Sequence, residues 1–211
     1  MDTDGRKIHP AFENPIDNVI IDIGTAVNIP LRKIGITPNM LTTVSLVLGL
    51  LGAWTVYKQS FYLGALLVFM AYFFDCMDGN MARKYDMVTV FGDYYDHIAD
   101  LVKIAFLLIA VLISPSLPLT FKIGFVIVNM IFAGASSVHL GCQERVYRKR
   151  VYHATRTRSR ERILENGTLT PMEALCPGNP DDSIRISRYF GTGTFFTILC
   201  LSLIIAPCYK S

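Results

Sequence analysis

The sequence predicts an all-α integral membrane protein: a bundle of about five to six transmembrane helices preceded by an interfacial amphipathic helix. The hydrophobic fraction of 52% and the charged fraction of 18% both depart from soluble averages in the membrane direction. The apolar residues are also clustered into runs close to the roughly 20 residues that a bilayer requires. A net charge of +3 is too small to favour a nucleic-acid partner.

Residues 1–36 are predicted to form a cytosolic N-terminal region. Residues 1–13 are polar, are expected to be loosely packed, and lack the short apolar core of a signal peptide. An amphipathic helix is expected next, ending over the stretch from Pro30 to Lys33, because apolar residues recur at helical spacing. This helix is too short and too polar to span, so it either lies in the membrane interface or covers the helices that follow. Its apolar positions are Ile16, Val19, Ile20, Ile23 and Val27.

Residues 37–211 are predicted to form the transmembrane domain. Thr37 followed by Pro38 is typical of a helix start, and the glycines of the first span favour close helix packing. Residues 141–188 are expected to form a basic cytosolic loop. The expected spans are residues 40–57, 61–82, 90–113, 119–140 and 190–206.

The distribution of basic residues predicts the topology. Half of the 20 Lys and Arg residues lie between positions 145 and 188, on the side of the membrane that also carries Arg83 and Lys84. The positive-inside rule places that side in the cytosol. The five cysteines are odd in number and form no CxxC pair, so they are expected to be reduced, buried or incidental.

Acidic residues concentrate where the second and third apolar runs meet water, and helical spacing groups them. On the first helix the shared face carries Asp75, Asp78, Gly79 and Ala82; on the second it carries Gly92, Asp96, Asp100 and Lys103. Carboxylates at the edge of hydrocarbon are costly and indicate a functional site. The four of them would repel one another unless they were protonated or bridged by cations. Two divalent ions such as Mg²⁺ or Mn²⁺ would neutralise all four charges.

Small residues beside the carboxylates leave space for a bulky ligand. Gly79, Ala82 and Gly92 lie where larger side chains would fill the faces that carry the acids. Arg83 follows directly and offers a planar donor group suited to phosphate. The sequence therefore predicts a metal-dependent site for a phosphate-bearing ligand.

Residues 75–100 resemble the signature of the CDP-alcohol phosphotransferases, D-x2-D-G-x2-A-R-x8-G-x3-D-x3-D, with every fixed position and spacer met. The resemblance implies transfer of a substituted phosphate group from a CDP-alcohol to an acceptor hydroxyl, with release of CMP. It implies a two-metal site with Asp100 as general base. The implied metal ligands are Asp75, Asp78, Asp96 and Asp100, and the positions near the CDP moiety are Gly79, Ala82, Arg83 and Gly92. The family commonly has six spanning helices, one more than expected here.

Substrate identity stays open at this point. CDP-diacylglycerol with a polar acceptor suits the short chain, and CDP-choline or CDP-ethanolamine with diacylglycerol is the alternative. A divalent-cation transporter would also carry intramembrane carboxylates, but it would not require the small residues and Arg83 at these offsets. The implied partners are a CDP-alcohol, a lipid substrate and membrane lipids, and the sequence leaves open whether the chain forms a homodimer.

Overall fold

The computed structural model describes residues 4–155 and 171–209, and this described part contains helices and no β-strand. The α-helices are α1 (Pro15–Lys33), α2 (Pro38–Tyr57), α3 (Phe61–Lys84), α4 (Val90–Ile113), α5 (Leu119–Thr155), α6 (Pro180–Ser187) and α7 (Thr192–Ile205). Short 3₁₀ turns cover Pro171–Leu175, Arg188–Phe190 and Ala206–Tyr209.

Long apolar helices confirm the predicted class of all-α membrane protein. The stretches long and apolar enough to cross a bilayer are Pro38–Tyr57, Phe61–Lys84, Leu119–Arg148 and Pro180–Tyr209. The remaining predicted span, α4, has 24 residues and therefore sufficient length, but charged side chains lie along its first half. It packs along α2, so it belongs to the same bundle.

Glycines bring α2 and α3 close together, as the small residues of the first span predict. A Cβ atom added to Gly52 would lie 2.9 Å from Val68 Cγ2. One added to Gly64 would lie 2.5 Å from Val56 Cγ2. The start of α2 is also as predicted, because the Thr37 hydroxyl accepts a hydrogen bond from the backbone N–H of Met40.

Helix α1 covers α3, which is one of the two positions expected for the amphipathic segment. Asn28 Nδ2 of α1 donates to the Met77 carbonyl oxygen at 3.0 Å. The predicted apolar positions divide between two sides, since Ile20 is 4% exposed whereas Val19 is 59% and Ile23 50% exposed. The helix ends at Lys33, within the stretch where its end was expected.

Residues 4–13 are held firmly, so the expectation of loose packing is wrong for them. The Asp4 carbonyl accepts a hydrogen bond from Asn80 Nδ2 at 2.7 Å, and the Gly5 carbonyl accepts one from Arg83 Nε at 2.9 Å. Ile8 is 1% exposed and packs in an apolar cluster with Val146. The polar composition of this segment does not predict its contacts with α3, because backbone carbonyls make them and every residue carries a carbonyl.

The segment at residues 141–188 is largely helical over its described part. Helix α5 continues to Thr155, and α6 follows a 3₁₀ turn at Pro171–Leu175. Cys142 and Cys176 form a buried disulfide, so the expectation of reduced cysteines is wrong for this pair. The extension of α5 beyond the predicted span places Cys142 next to Cys176, which directly follows the 3₁₀ turn Pro171–Leu175.

Asp17 is a buried carboxylate between α1 and α3. It is 6% exposed and accepts a hydrogen bond from the Tyr72 hydroxyl. Burial raises the pKa of Asp17 to about 6; the hydrogen bond from Tyr72 opposes this rise and the charge of Glu13 adds to it. At neutral pH the folded protein therefore carries an ionised group that its surroundings disfavour.

We expect Asp17→Asn to change how stability depends on pH. A carboxyl whose folded pKa of about 6 exceeds its ordinary 3.8 favours folding while protonated and loses that contribution as pH rises from about 4 to about 6. Asparagine does not ionise, so the thermal midpoint of the variant minus that of the wild type should rise across this window and then level off. The corresponding change in the free energy of unfolding across this window is at most about 3 kcal/mol.

Thermal unfolding of the detergent-solubilised protein from pH 4 to 8 measures this difference. Asp22→Asn is the control on the same helix: the Asp22 side chain is 73% exposed and pairs with Arg6, so this change removes an ion pair and should not raise the midpoint relative to the wild type as pH rises. A difference that stays constant with pH for Asp17→Asn would contradict the assignment.

Candidate active site

The candidate site lies where three helix ends meet, at the start of α2, the end of α3 and the start of α4. The Thr89 side chain begins α4 by accepting a hydrogen bond from the backbone N–H of Gly92 at 3.0 Å. Helical periodicity then places the acids of α3 and α4 one turn apart on each helix. Lys103 joins α4 to α3 through an ion pair with Asp75.

Three of the predicted carboxylates come together. Asp75, Asp78 and Asp96 each offer one oxygen atom, and these atoms lie within 4.8 Å of one another. Asp78 is 5% exposed. One buried oxygen of Asp96, Oδ1, has no hydrogen-bond partner among the described residues. The prediction that the two helices turn their acids toward each other agrees with this arrangement.

Asp100 joins the site through a lysine. Its Oδ1 atom lies 2.7 Å from Lys103 Nζ, and the same nitrogen lies 2.7 Å from Asp75 Oδ1. The Asp100 side chain is 42% exposed, compared with 19% for Asp75. Asp100 is therefore the more accessible of this pair.

Hydroxyl groups of α2 form hydrogen bonds with Asp78 and with Lys103. Thr42 Oγ1 donates to Asp78 Oδ2 at 2.6 Å, and Ser45 Oγ donates to the Ala71 carbonyl at 2.8 Å. Ser45 Oγ also accepts a hydrogen bond from Lys103 Nζ at 2.7 Å. Sequence analysis did not identify either hydroxyl. The available signal was their spacing, since two hydroxyls three residues apart share one face of an otherwise apolar helix.

The small residues lie where the signature places them. A Cβ atom at Gly79 would lie 3.1 Å from Arg83 Nη1, so the guanidinium group passes over this glycine. A Cβ atom at Gly92 would lie 3.0 Å from Asn39 Oδ1 at the start of α2. Ala82 is half-buried on α3. Arg83 is oriented by the bond from its Nε atom to the Gly5 carbonyl.

The three-carboxylate cluster fits a divalent cation. Its donors are hard oxygen atoms, which suit Mg²⁺ and Mn²⁺. The buried Asp96 oxygen without a partner among the described residues is a ligand atom ready for a cation. Three adjacent carboxylates also need positive charge nearby, because their mutual repulsion is strong at partly buried positions.

Comparison with known proteins identifies the family. The family described as CDP-alcohol phosphatidyltransferase matches residues 35–158, which is more than half of the chain and includes the whole signature. The chain belongs to this family. The resemblance drawn from residues 75–100 is thereby confirmed at the level of the family.

Similar proteins include several phosphatidyltransferases. Archaetidylinositol phosphate synthase of Pyrococcus horikoshii is 32% identical over 94 residues, which cover 44% of this chain and 46% of that protein. CDP-diacylglycerol–serine O-phosphatidyltransferase of Helicobacter pylori is 27% identical over 96 residues, covering 46% and 38%. CDP-diacylglycerol–glycerol-3-phosphate 3-phosphatidyltransferase of Rickettsia felis is 48% identical over 50 residues, covering 24% and 28%. The chain spans less than half the length of each of these relatives.

We expect Asp78→Asn to weaken Mn²⁺ binding strongly. The amide removes one charge from the three-carboxylate cluster and turns the acceptor of the Thr42 hydrogen bond into a neutral group. Electron paramagnetic resonance of Mn²⁺ titrated into the purified protein measures the change. Asp93→Asn is the matched control, because Asp93 lies on α4 outside the cluster and its side chain is 71% exposed. Equal affinities in the two variants would contradict a cation site at the cluster.

Proposed function

We propose that this chain transfers a substituted phosphate group from a CDP-alcohol, in the first place CDP-diacylglycerol, to the hydroxyl of a polar acceptor and releases CMP. One observation carries the proposal: three carboxylates of the family signature form a single cluster, with the fourth attached to it through Lys103. Such a constellation suits a reaction at a charged pyrophosphate.

The carboxylates of the cluster serve as metal ligands in this proposal. Asp75, Asp78 and Asp96 would hold one Mg²⁺ or Mn²⁺ ion, and Asp100 together with Asp75 would contribute to a second. Ions held there would supply positive charge to the pyrophosphate oxygens. Thr42 keeps the buried Asp78 carboxylate in position by donating a hydrogen bond to it.

Asp100 is the general base. Its carboxylate takes the proton of the acceptor hydroxyl, and the hydroxyl oxygen forms a bond to the phosphorus that carries the donor alcohol. The phosphoanhydride bond to the cytidine phosphate breaks, and CMP leaves with the electron pair. The exposure of the Asp100 side chain, 42% against 19% for Asp75, supports access by an acceptor from solvent.

The small residues and Arg83 bind the CDP moiety. The Arg83 guanidinium, which passes over Gly79, offers paired donors to phosphate oxygens. Ala82 and Gly92 keep the adjacent surfaces free of large side chains. The bond from Arg83 to the Gly5 carbonyl leaves the terminal nitrogens of the guanidinium group for the ligand.

Relatives favour CDP-diacylglycerol as the donor. Two of the similar proteins carry this compound in their names, one with serine and one with glycerol 3-phosphate as acceptor. The runner-up is transfer from CDP-choline or CDP-ethanolamine to diacylglycerol. Membership of the transferase family weighs against the cation transporter.

Incubation with each radiolabelled CDP-alcohol against a panel of acceptors tests the choice of donor. CMP release with CDP-choline but not with CDP-diacylglycerol would reverse this choice.

We expect Asp100→Asn to lower the rate of transfer by about a hundredfold or more, because an amide cannot accept the hydroxyl proton. Metal-dependent binding of the CDP-alcohol should survive in part, since Asp75, Asp78 and Asp96 remain. Turnover assays and calorimetric titration with the donor separate the two effects. Asp93→Asn should retain wild-type turnover. Normal turnover by Asp100→Asn would exclude Asp100 as the base.

The proposed setting is a multi-pass membrane protein with the site on the cytosolic side. Apolar helices support the membrane setting, and the basic residues between positions 145 and 188 support the sidedness. Residues 1–36 form the cytosolic N-terminal region and residues 37–211 the catalytic domain. The Cys142–Cys176 disulfide is the observation that opposes this side, because disulfides form mainly in oxidising compartments.

A natural reporter tests this topology. Asn166, Gly167 and Thr168 form an N-glycosylation sequon, which lies outside the described residues. With residues 141–188 in the cytosol, Asn166 should stay unmodified when the chain is expressed with microsomes. Endoglycosidase treatment followed by electrophoresis measures this. A mass shift that is removed by the enzyme, and is absent from Asn166→Gln, would place this segment and the carboxylates in the lumen.

A further inference from the structure

The side chain of Lys103, which lies on α4, is buried against α2. The side chain is 8% exposed although it carries a charge. Its stem passes α2 at Gly49, where an added Cβ atom would lie 2.6 Å from Lys103 Cγ. Glycine at this position of α2 therefore leaves room for the lysine stem.

The ammonium group of Lys103 joins all three helices of the site. It donates to Ser45 Oγ of α2, Asp75 Oδ1 of α3 and Asp100 Oδ1 of α4, each at 2.7 Å. An ammonium group has three N–H donors, so each of them has one acceptor. Two of these acceptors are carboxylates, and such charge-assisted hydrogen bonds are the stronger kind.

The same oxygen atoms are needed for a second divalent ion. An ion at the cluster of Asp75, Asp78 and Asp96 shares only Asp75 with Lys103, because Asp78 and Asp96 make no ion pair with a lysine in the described part of the chain. An ion held by Asp100 together with Asp75 meets the ammonium group that already binds both carboxylates. Two cations at one pair of carboxylates repel each other.

We propose that Lys103 is a positioning residue that acts as a built-in counter-cation: it holds Asp75 and Asp100 together in the metal-free protein and competes with the second divalent ion. This inference rests on the two-ion site of the proposed function. Its consequence is an order of loading. The three-carboxylate cluster fills first, and binding of the second ion is coupled to loss of the Lys103 contacts.

Mn²⁺ titration of the full chain in detergent, followed by electron paramagnetic resonance, tests the competition. Lys103→Met keeps the length of the stem and removes the charge. The second Mn²⁺ should bind at least about tenfold more tightly to this variant, because its competitor is gone. A single Mn²⁺ per wild-type chain that becomes two in the variant supports the same conclusion. Lys103→Arg retains the charge and should keep the second affinity close to that of the wild type.

Thermal unfolding without metal supplies an independent measurement. Lys103→Met leaves Asp75 and Asp100 without their counter-charge, so its midpoint should fall below that of the wild type. Added Mn²⁺ should raise the midpoint of the variant more than that of the wild type. Lys122→Met, at the start of α5, removes a lysine that makes none of these contacts and should leave both Mn²⁺ affinities unchanged.

The outcomes separate the two proposals. If the wild type binds no Mn²⁺, both the metal site of the proposed function and the role of Lys103 are excluded. If the wild type binds Mn²⁺ and Lys103→Met leaves the second affinity unchanged or weaker, only the role of Lys103 is excluded. If Lys103→Met does not fold, Ser45→Ala takes its place. It removes one of the three acceptors, and a second affinity that does not tighten in Ser45→Ala overturns the proposal.

Discussion

Repulsion among four carboxylates at the edge of the hydrocarbon is the constraint on which the rest of this structure depends. Lys103 reduces this repulsion for Asp75 and Asp100 through two ion pairs. Thr42 partly offsets the charge of Asp78 by donating a hydrogen bond to it. What is left is a cluster of three oxygen atoms still short of positive charge, which is the condition for binding a divalent cation. The acids and their counter-groups thus act as one unit spread over three helices.

The N-terminal part of the chain holds the end of α3 in place next to the site. Helix α1 covers α3 through Asn28, and the segment before it reaches Asn80 and Arg83 with backbone carbonyls. These contacts lie directly after the acids of α3, so they fix the end of the helix that carries half of the site. The opposite side of α1 exposes apolar residues, among them Val19 and Ile23. One short helix therefore supports the site on one side and presents an apolar surface on the other.

Helical periodicity gave the most accurate predictions about the site, because it depends only on the spacing of residues along one helix. The spacing of Asp75 and Asp78 predicts a shared face from local geometry alone, and the structure agrees. The bonds of Lys103 to Ser45 and Asp75 escaped prediction because they join residues far apart in the chain, and which helices pack together depends on their side chains. The Cys142–Cys176 pair escaped for a similar reason: it depends on α5 continuing beyond its apolar stretch. An odd number of cysteines says nothing about which two will meet.

The helices inside and outside the family match contribute to the site in different ways. The family match at residues 35–158 contains α2, α3 and α4, which supply every carboxylate and counter-group of the site. Helices α1, α6 and α7 lie outside the match, yet α1 and α7 both pack on α3. The carboxylates, the lysine and the hydroxyls that contact them therefore all lie in the part of the chain that the family match covers. Helices α1 and α7 support that part from outside the match, because the helix on which both of them pack carries Asp75 and Asp78.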